Sequence, residues 1–275
     1  TADPSQSVLM IIDSGVETAT YTIDIFDTGY GASGYSYCGR YFVPMDGGNS
    51  IAITGNRWDY ITGLTIDDVR GAVVVVTNLL SGTISETSYV VTGYVHSTDR
   101  SVAVDDSGNV YFDFYKQGEG KHSVFSWASP YSAAPTIRVT ENTGTTAYYL
   151  ALQATPDQTL LVATEGGNTA WKYPLASGAR TEIDNDGYAI HVASLSIERH
   201  TQRLWLIGDP TGSPYLLGYN WPYDSAPAEK IPLGAGSWAT QYLAITADDQ
   251  IMAVCGAAGS PRGFYLLTAP FISSS

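Results

Sequence analysis

Short apolar runs alternate with polar turns along the whole chain, and no stretch sustains the 3.6-residue spacing of a helix. Residues 101–115, SVAVDDSGNVYFDFY, show the unit clearly: an apolar run through Val102 and Val104, an acidic loop from Asp105 to Asn109, then an apolar run from Val110. Two apolar strands around a turn rich in Asp, Asn, Ser and Gly predict a β-hairpin. Five further segments align with it, starting at Met10 (MIIDSGVETATYTIDIF), Leu64 (LTIDDVRGAVVVVTN), Leu150 (LALQATPDQTLLVAT), Leu195 (LSIERHTQRLWLIGD) and Leu243 (LAITADDQIMAVCGA). Successive starts, with Val102 in its place, lie 54, 38, 48, 45 and 48 residues apart.

A repeat of about 45 residues is the length of a four-stranded propeller blade. A second signature supports four strands per unit. An aromatic-rich strand ends near a proline and a short strand follows, as in YFVPMDGGNSIAIT, FSWASPYSAAPTIRVT, WKYPLASGARTEID and YNWPYDSAPAEKIPL. Proline at or past a strand end removes no ladder hydrogen bond. The unit from Leu64 is short and carries no such proline. The 32 residues after Leu243 and the nine before Met10 make about one more period, so pairing between the two chain ends is expected to close a ring and hide its edge strands. The sequence therefore predicts an all-β, six-bladed β-propeller of four-stranded antiparallel blades, as one domain over 1–275. A β-sandwich is the rival fold, but it needs no regular period. The blade pattern resembles the broad group of NHL, YVTN and SMP-30-like propellers over nearly the whole chain. The WD dipeptide of WD40 blades occurs once, at Trp58–Asp59, out of place, and the sialidase SxDxGxxW box is absent.

Composition narrows the function. Of 275 residues, 27 are acidic and 13 are Lys or Arg, a net charge of −14. Duplex nucleic acid and anionic membrane surfaces need clustered cations, so neither is an expected partner. No apolar stretch is long enough to predict membrane insertion. Cys38 and Cys255 fit no zinc spacing and make no disulfide framework; two buried thiols are expected, with one bridge as the alternative. The start, TADPSQSV, shows no basic or apolar leader region, so no signal peptide is expected.

Candidate sites follow from the blade frame. The Asp105–Asn109 loop invites a calcium reading, but Gly108 comes too early for an EF-hand and Phe114 stands where a bidentate Glu is needed. The matching loops read IDDVRG, TPDQT, ERHTQR and TADDQ, so a turn is the expectation and no metal or cofactor is predicted. The connections leading into innermost strands carry Trp58, Asp59, Tyr60, Asp99, Arg100, Tyr148, His191, Trp238 and Gln241. Aromatics beside a few polar groups suit recognition of a sugar or peptide, and packing between blades is the competing role. No HExxH, GxSxG or P-loop motif is present. The resemblance to SMP-30-like lactonases implies a channel metal, for which Asp13, Asp67, Asp105 and Glu198 are available, without an accompanying Asn motif. The expectation is a non-catalytic interaction or structural propeller, virion-associated or extracellular. Its expected partners are other protein subunits of a larger assembly, surface glycans, or both. A secreted lectin and a metal-dependent lactonase are the alternatives.

Overall fold

The computed structural model describes residues 8–13, 16–22, 35–59, 71–96, 102–116, 119–142, 150–165, 168–177, 179–210, 213–233, 241–246, 248–256 and 264–271. Runs such as GAVVVVT, VYFDFYK and LWLIGD become strands because β-branched and aromatic side chains pack on a pleated, buried surface. Every strand pairing is antiparallel, and the described residues hold no α-helix. The chain divides into two units: Thr1–Ser97 with Ser101–Thr145, and Thr98–Arg100 with Thr146–Ser275.

In the first unit, β1 (Val8–Asp13) and β2 (Val16–Thr22) form a hairpin. Next, β3 (Tyr35–Met45), β4 (Ser50–Asp59), β5 (Gly71–Thr77) and β6 (Ser85–Val91) form one sheet in chain order. In the third sheet, β9 (Val110–Lys116) has β7 (Val95–His96) and β8 (Val102–Val104) on one edge. Its other edge takes β10 (Lys121–Trp127), which pairs with β11 (Thr136–Asn142).

This arrangement corrects the repeat in one place. Leu64 itself lies outside the described residues, but the run GAVVVVT is β5, and its two edges are taken by β4 and β6. The segment YFVPMDGGNSIAIT is therefore not an outer strand pair: it spans the first two strands, β3 and β4, of this sheet. Pro44 is tolerated because β3 pairs with β4 alone among the described strands. The short 38-residue interval takes β5, a third strand, for the second strand of a hairpin.

The second unit follows the predicted frame. Its sheets are β12 (Leu150–Ala154), β13 (Leu160–Glu165), β14 (Thr169–Pro174) and β15 (Thr181–Glu182); then β16 (Ala189–Ile197), β17 (Leu204–Asp209), β18 (Tyr215–Tyr219) and β19 (Glu229–Pro232); then β20 (Gln241–Ile245), β21 (Ile251–Gly256) and β22 (Phe264–Thr268). First strands stand side by side, β12 beside β16 and β16 beside β20. Burial is deepest in the second and third strands, as in the fully buried run Leu204–Ile207. Facing sheets interlock: Leu160, Val162, Leu206, Leu217 and Tyr219 fill one layer, and Trp205, Ile207, Leu243, Met252, Val254 and Phe271 fill the next. Of the chain ends expected to pair, residues 1–7 and 272–275 lie outside the described residues, while Val8 and Leu9 pair with Thr22 and Tyr21 of β2.

Two glycines make room for neighbouring aromatic rings, one within a sheet and one between sheets. A Cβ on Gly218 would lie 2.7 Å from the Trp205 indole, and one on Gly71 would lie 2.7 Å from the Phe114 ring. A second device recurs where the third strand gives way to the fourth. In Pro130–Tyr131 and Pro222–Tyr223 the tyrosine adopts φ of 64°. Its hydroxyl then donates to the carbonyl of the left-handed residue in the turn between the first two strands: Tyr131 to Gly108, Tyr223 to Gln202. Tyr223 is 1% exposed, and its burial pushes the phenol pKa upward. In the last sheet the matching residue is Phe271, which has no hydroxyl to donate. Tyr223→Phe should lower unfolding free energy by about 1 kcal/mol, and Gly218→Ala by about 1–3 kcal/mol through overpacking. Urea denaturation followed by tryptophan fluorescence measures both.

Candidate functional site

The acidic turns are held by their own side chains. Asp105 is 9% exposed. Its Oδ1 accepts from the backbone N–H of Ser107 and Asn109, each at 2.9 Å; its Oδ2 accepts from Asn109 Nδ2 at 2.8 Å and from the Tyr111 hydroxyl at 3.0 Å. Burial, followed by the charge of Asp105 and this bond, pushes the Tyr111 phenol up to about 12. Glu198 stands at the same place in its own sheet. It is 7% exposed, takes the Trp205 indole N–H at 2.6 Å, and is capped by the Thr201 hydroxyl. In two other turns the acid moves two residues on. Thr155 donates to Asp157 while Leu160 N–H bonds back to the threonine, and Thr246, Asp248 and Ile251 repeat the pattern. Gly108, Gln158, Gln202 and Asp249 supply the left-handed residue, with φ of 76°, 59°, 57° and 56°. These are one turn built with different side chains, as the sequence predicted. Among the described residues, no group of three His, Cys, Asp or Glu side chains is placed to hold a metal.

The predicted recognition residues fare unevenly. Tyr60, Asp99, Arg100, Tyr148 and Trp238 lie outside the described residues. Trp58 and Asp59 end β4, paired with Ser36 and Tyr35, so they lead from a second strand to a third and not into a first strand, following the frame correction above. Gln241 opens β20 opposite Gly256. Only His191 has a described side chain, and its setting is unusual. The register of β16 against β17 shifts between Ile190 and Leu195, a bulge that lifts His191 out of the ladder. The Ser194 hydroxyl seals the gap: it accepts from the backbone N–H of Ile207 at 3.1 Å and donates to the His191 carbonyl. The Nε2 of His191 is buried with no hydrogen-bond partner. Burial holds the imidazole pKa below its usual value, against a smaller opposing pull from Asp209.

Two histidine–carboxylate pairs were not foreseen, because their members are far apart in sequence or on opposite strands. His122 Nδ1 lies 2.8 Å from Asp113 Oδ2, with side chains 4% and 0% exposed. Asp113 Oδ1 has no hydrogen-bond partner. His200 Nδ1 lies 2.8 Å from Asp249 Oδ2, the histidine 68% exposed and the aspartate 9%. The same carboxylate takes the backbone N–H of Arg199 at 2.8 Å and of His200 at 2.6 Å, stapling the turn after β16 to the turn after β20. A cleft of about 780 Å³ opens beside this staple, lined by Glu198, His200, Arg203, Asn220, Asp248 and Phe271 among others. Arg203 is held there by Nε and Nη2 donating to Asn220 Oδ1, both at 3.2 Å.

No family model matches the sequence, and no curated protein matches it. Solved structures do match the fold. The TolB of Acinetobacter baumannii aligns with a TM-score of 0.56 at 12% identity, over 84% of this chain and 51% of that one. A structure of the Dos1 propeller gives 0.57 at 11% identity, over 93% and 61%. A chain of the COPII outer coat vertex on membranes gives 0.62 at 12% identity, over 100% and 68%. A putative 6-phosphogluconolactonase from Bacteroides uniformis gives 0.57 at 12% identity, over 86% and 69%. The chain thus spans about half the TolB chain and about three fifths to seven tenths of the others. At these identities the likeness shows the fold: an all-β propeller.

Asp105→Ala, which strips four bonds from one turn, should cost about 2–3 kcal/mol. The melting temperature of the parent protein should be the same in calcium and in EDTA. For His191, the folded state resists protonation more than the unfolded chain does, so its contribution is a loss of stability as pH falls below about 6.5. NMR titration should place the His191 imidazole below the usual histidine value. His191→Gln should reduce the drop in melting temperature between neutral and mildly acidic pH.

Proposed function

We propose that this chain is a non-catalytic interaction propeller, a single domain over 1–275, that works by docking onto other proteins. The observation that carries this reading is the fate of the acids a metal-dependent lactonase would use. Asp105 and Glu198 spend both carboxylate oxygens on donors from their own turns and from the strands that follow, Tyr111 and Trp205. A carboxylate engaged in this way serves as scaffold, and redirecting it to a cation would cost the turn those bonds. Asp13 and Asp67, the other two acids of that reading, have no described side chains. The likeness to the COPII outer coat vertex supports a role in an assembly by analogy of fold. Within this reading, the repeat of about 45 residues supports kinship with the NHL, YVTN and SMP-30-like group. The low lysine content and the many Ser, Thr, Gly and Tyr residues support a virion-associated or extracellular component that packs on neighbouring subunits or touches glycans.

Native mass measurement of the chain isolated from its source tests the reading. The expected result is a stoichiometric complex with a defined second polypeptide, together with no turnover of gluconolactone in the presence of calcium, manganese or zinc. A free 29.4 kDa monomer that hydrolyses the lactone with a bound divalent ion would overturn it in favour of an enzyme. A free monomer that binds several related sugars on a glycan array would overturn it in favour of a lectin.

A further inference from the structure

The cleft between the β16–β19 sheet and the β20–β22 sheet is where the molecule departs from its own repeat. In two other sheets a tyrosine hydroxyl caps the carbonyl of the left-handed turn residue, at Gly108 and Gln202. In the β20–β22 sheet the turn residue is Asp249 and the aromatic is Phe271, so the carbonyl at this position receives no tyrosine. The Asp249 side chain is turned away to the neighbouring sheet, where it holds Arg199 and His200. Beside this turn lies an open cleft of about 780 Å³ whose lining includes the apolar residues Phe271, Pro270 and Ala269. Around it stand Glu198, Asp248 and Asp249 against the one guanidinium of Arg203, already bonded to Asn220. Asp248 uses its Oδ1 for Thr246 and Gln250, and the Gln250 amide nitrogen is spent on the Asp248 carbonyl, which leaves its oxygen as an acceptor.

Resting on the interaction reading above, we propose that this cleft receives a basic side chain of a protein partner. The aliphatic stem of a lysine or arginine would lie on Pro270 and Phe271, and its charged head would meet the Asp249 carbonyl and the Asp248 carboxylate. The excess of acid in the cleft and the net charge of −14 both favour approach of a cation.

Two substitutions isolate the site. Phe271→Tyr adds a hydroxyl at the residue that follows the proline, as Tyr131 and Tyr223 have, and is chosen to occupy the Asp249 carbonyl. Asp248→Asn removes one charge at the rim. The test is a ¹⁵N NMR titration of the full chain at low salt with N-acetyl-arginine amide, with N-acetyl-citrulline amide and N-acetyl-glutamate amide as controls. Saturable shifts of the Arg199, His200 and Gln250 amides are expected with the arginine compound alone, weakened about tenfold in each variant. No shift, equal shifts with citrulline or glutamate, or unchanged binding in both variants would each overturn the proposal. The titration needs no partner protein, so its failure leaves the interaction reading to be decided by native mass.

Discussion

The turn between the first and second strands of each sheet must satisfy backbone N–H groups that the ladder cannot reach, and the structure depends on how it does so. A buried amide left without an acceptor costs about 1–3 kcal/mol, and in four of these turns a side-chain oxygen is aimed back at its own chain. Asp105 does this with both oxygens, Glu198 is steadied from outside by Trp205, and Thr155 and Thr246 use a hydroxyl braced by an aspartate. Once the turn is fixed, the second strand leaves it in register, and the deep burial of Phe112, Val162 and Leu206 follows.

The same turns explain which parts of the fold were legible in the sequence. Hairpins beginning at Val102, Leu150, Leu195 and Leu243 were readable because turn residues and apolar runs recur there at nearly constant spacing. The sheet from β3 to β6 was not, because β5 is dominated by four consecutive valines: it resembles a second strand in composition and is in fact a third. Apolar content reports burial, and second and third strands are equally buried, so position within a sheet has to come from the turns.

The candidate site was less legible. The reading favoured residues leading into first strands, and His191 does sit on an anomaly there. Its character comes from a four-residue bulge sealed by Ser194, which no alternation of polar and apolar residues announces. The pairing of His200 with Asp249 joins residues 49 apart in the chain, and only the stacking of two turns brings them together. A signal for the cleft was nonetheless present. Pro130–Tyr131, Pro222–Tyr223 and Pro270–Phe271 recur after the third strand, and the missing hydroxyl in the last pair marks the sheet that behaves differently.

The interchangeable anchors of the turns have a consequence for how such a chain can change over time. An aspartate with a tyrosine, a glutamate with a tryptophan, and a threonine with an aspartate all close the same loop. Each repeat can therefore swap its fastener independently, through pairs of substitutions that leave the backbone path intact. The letters of a repeat can thus drift while its shape persists.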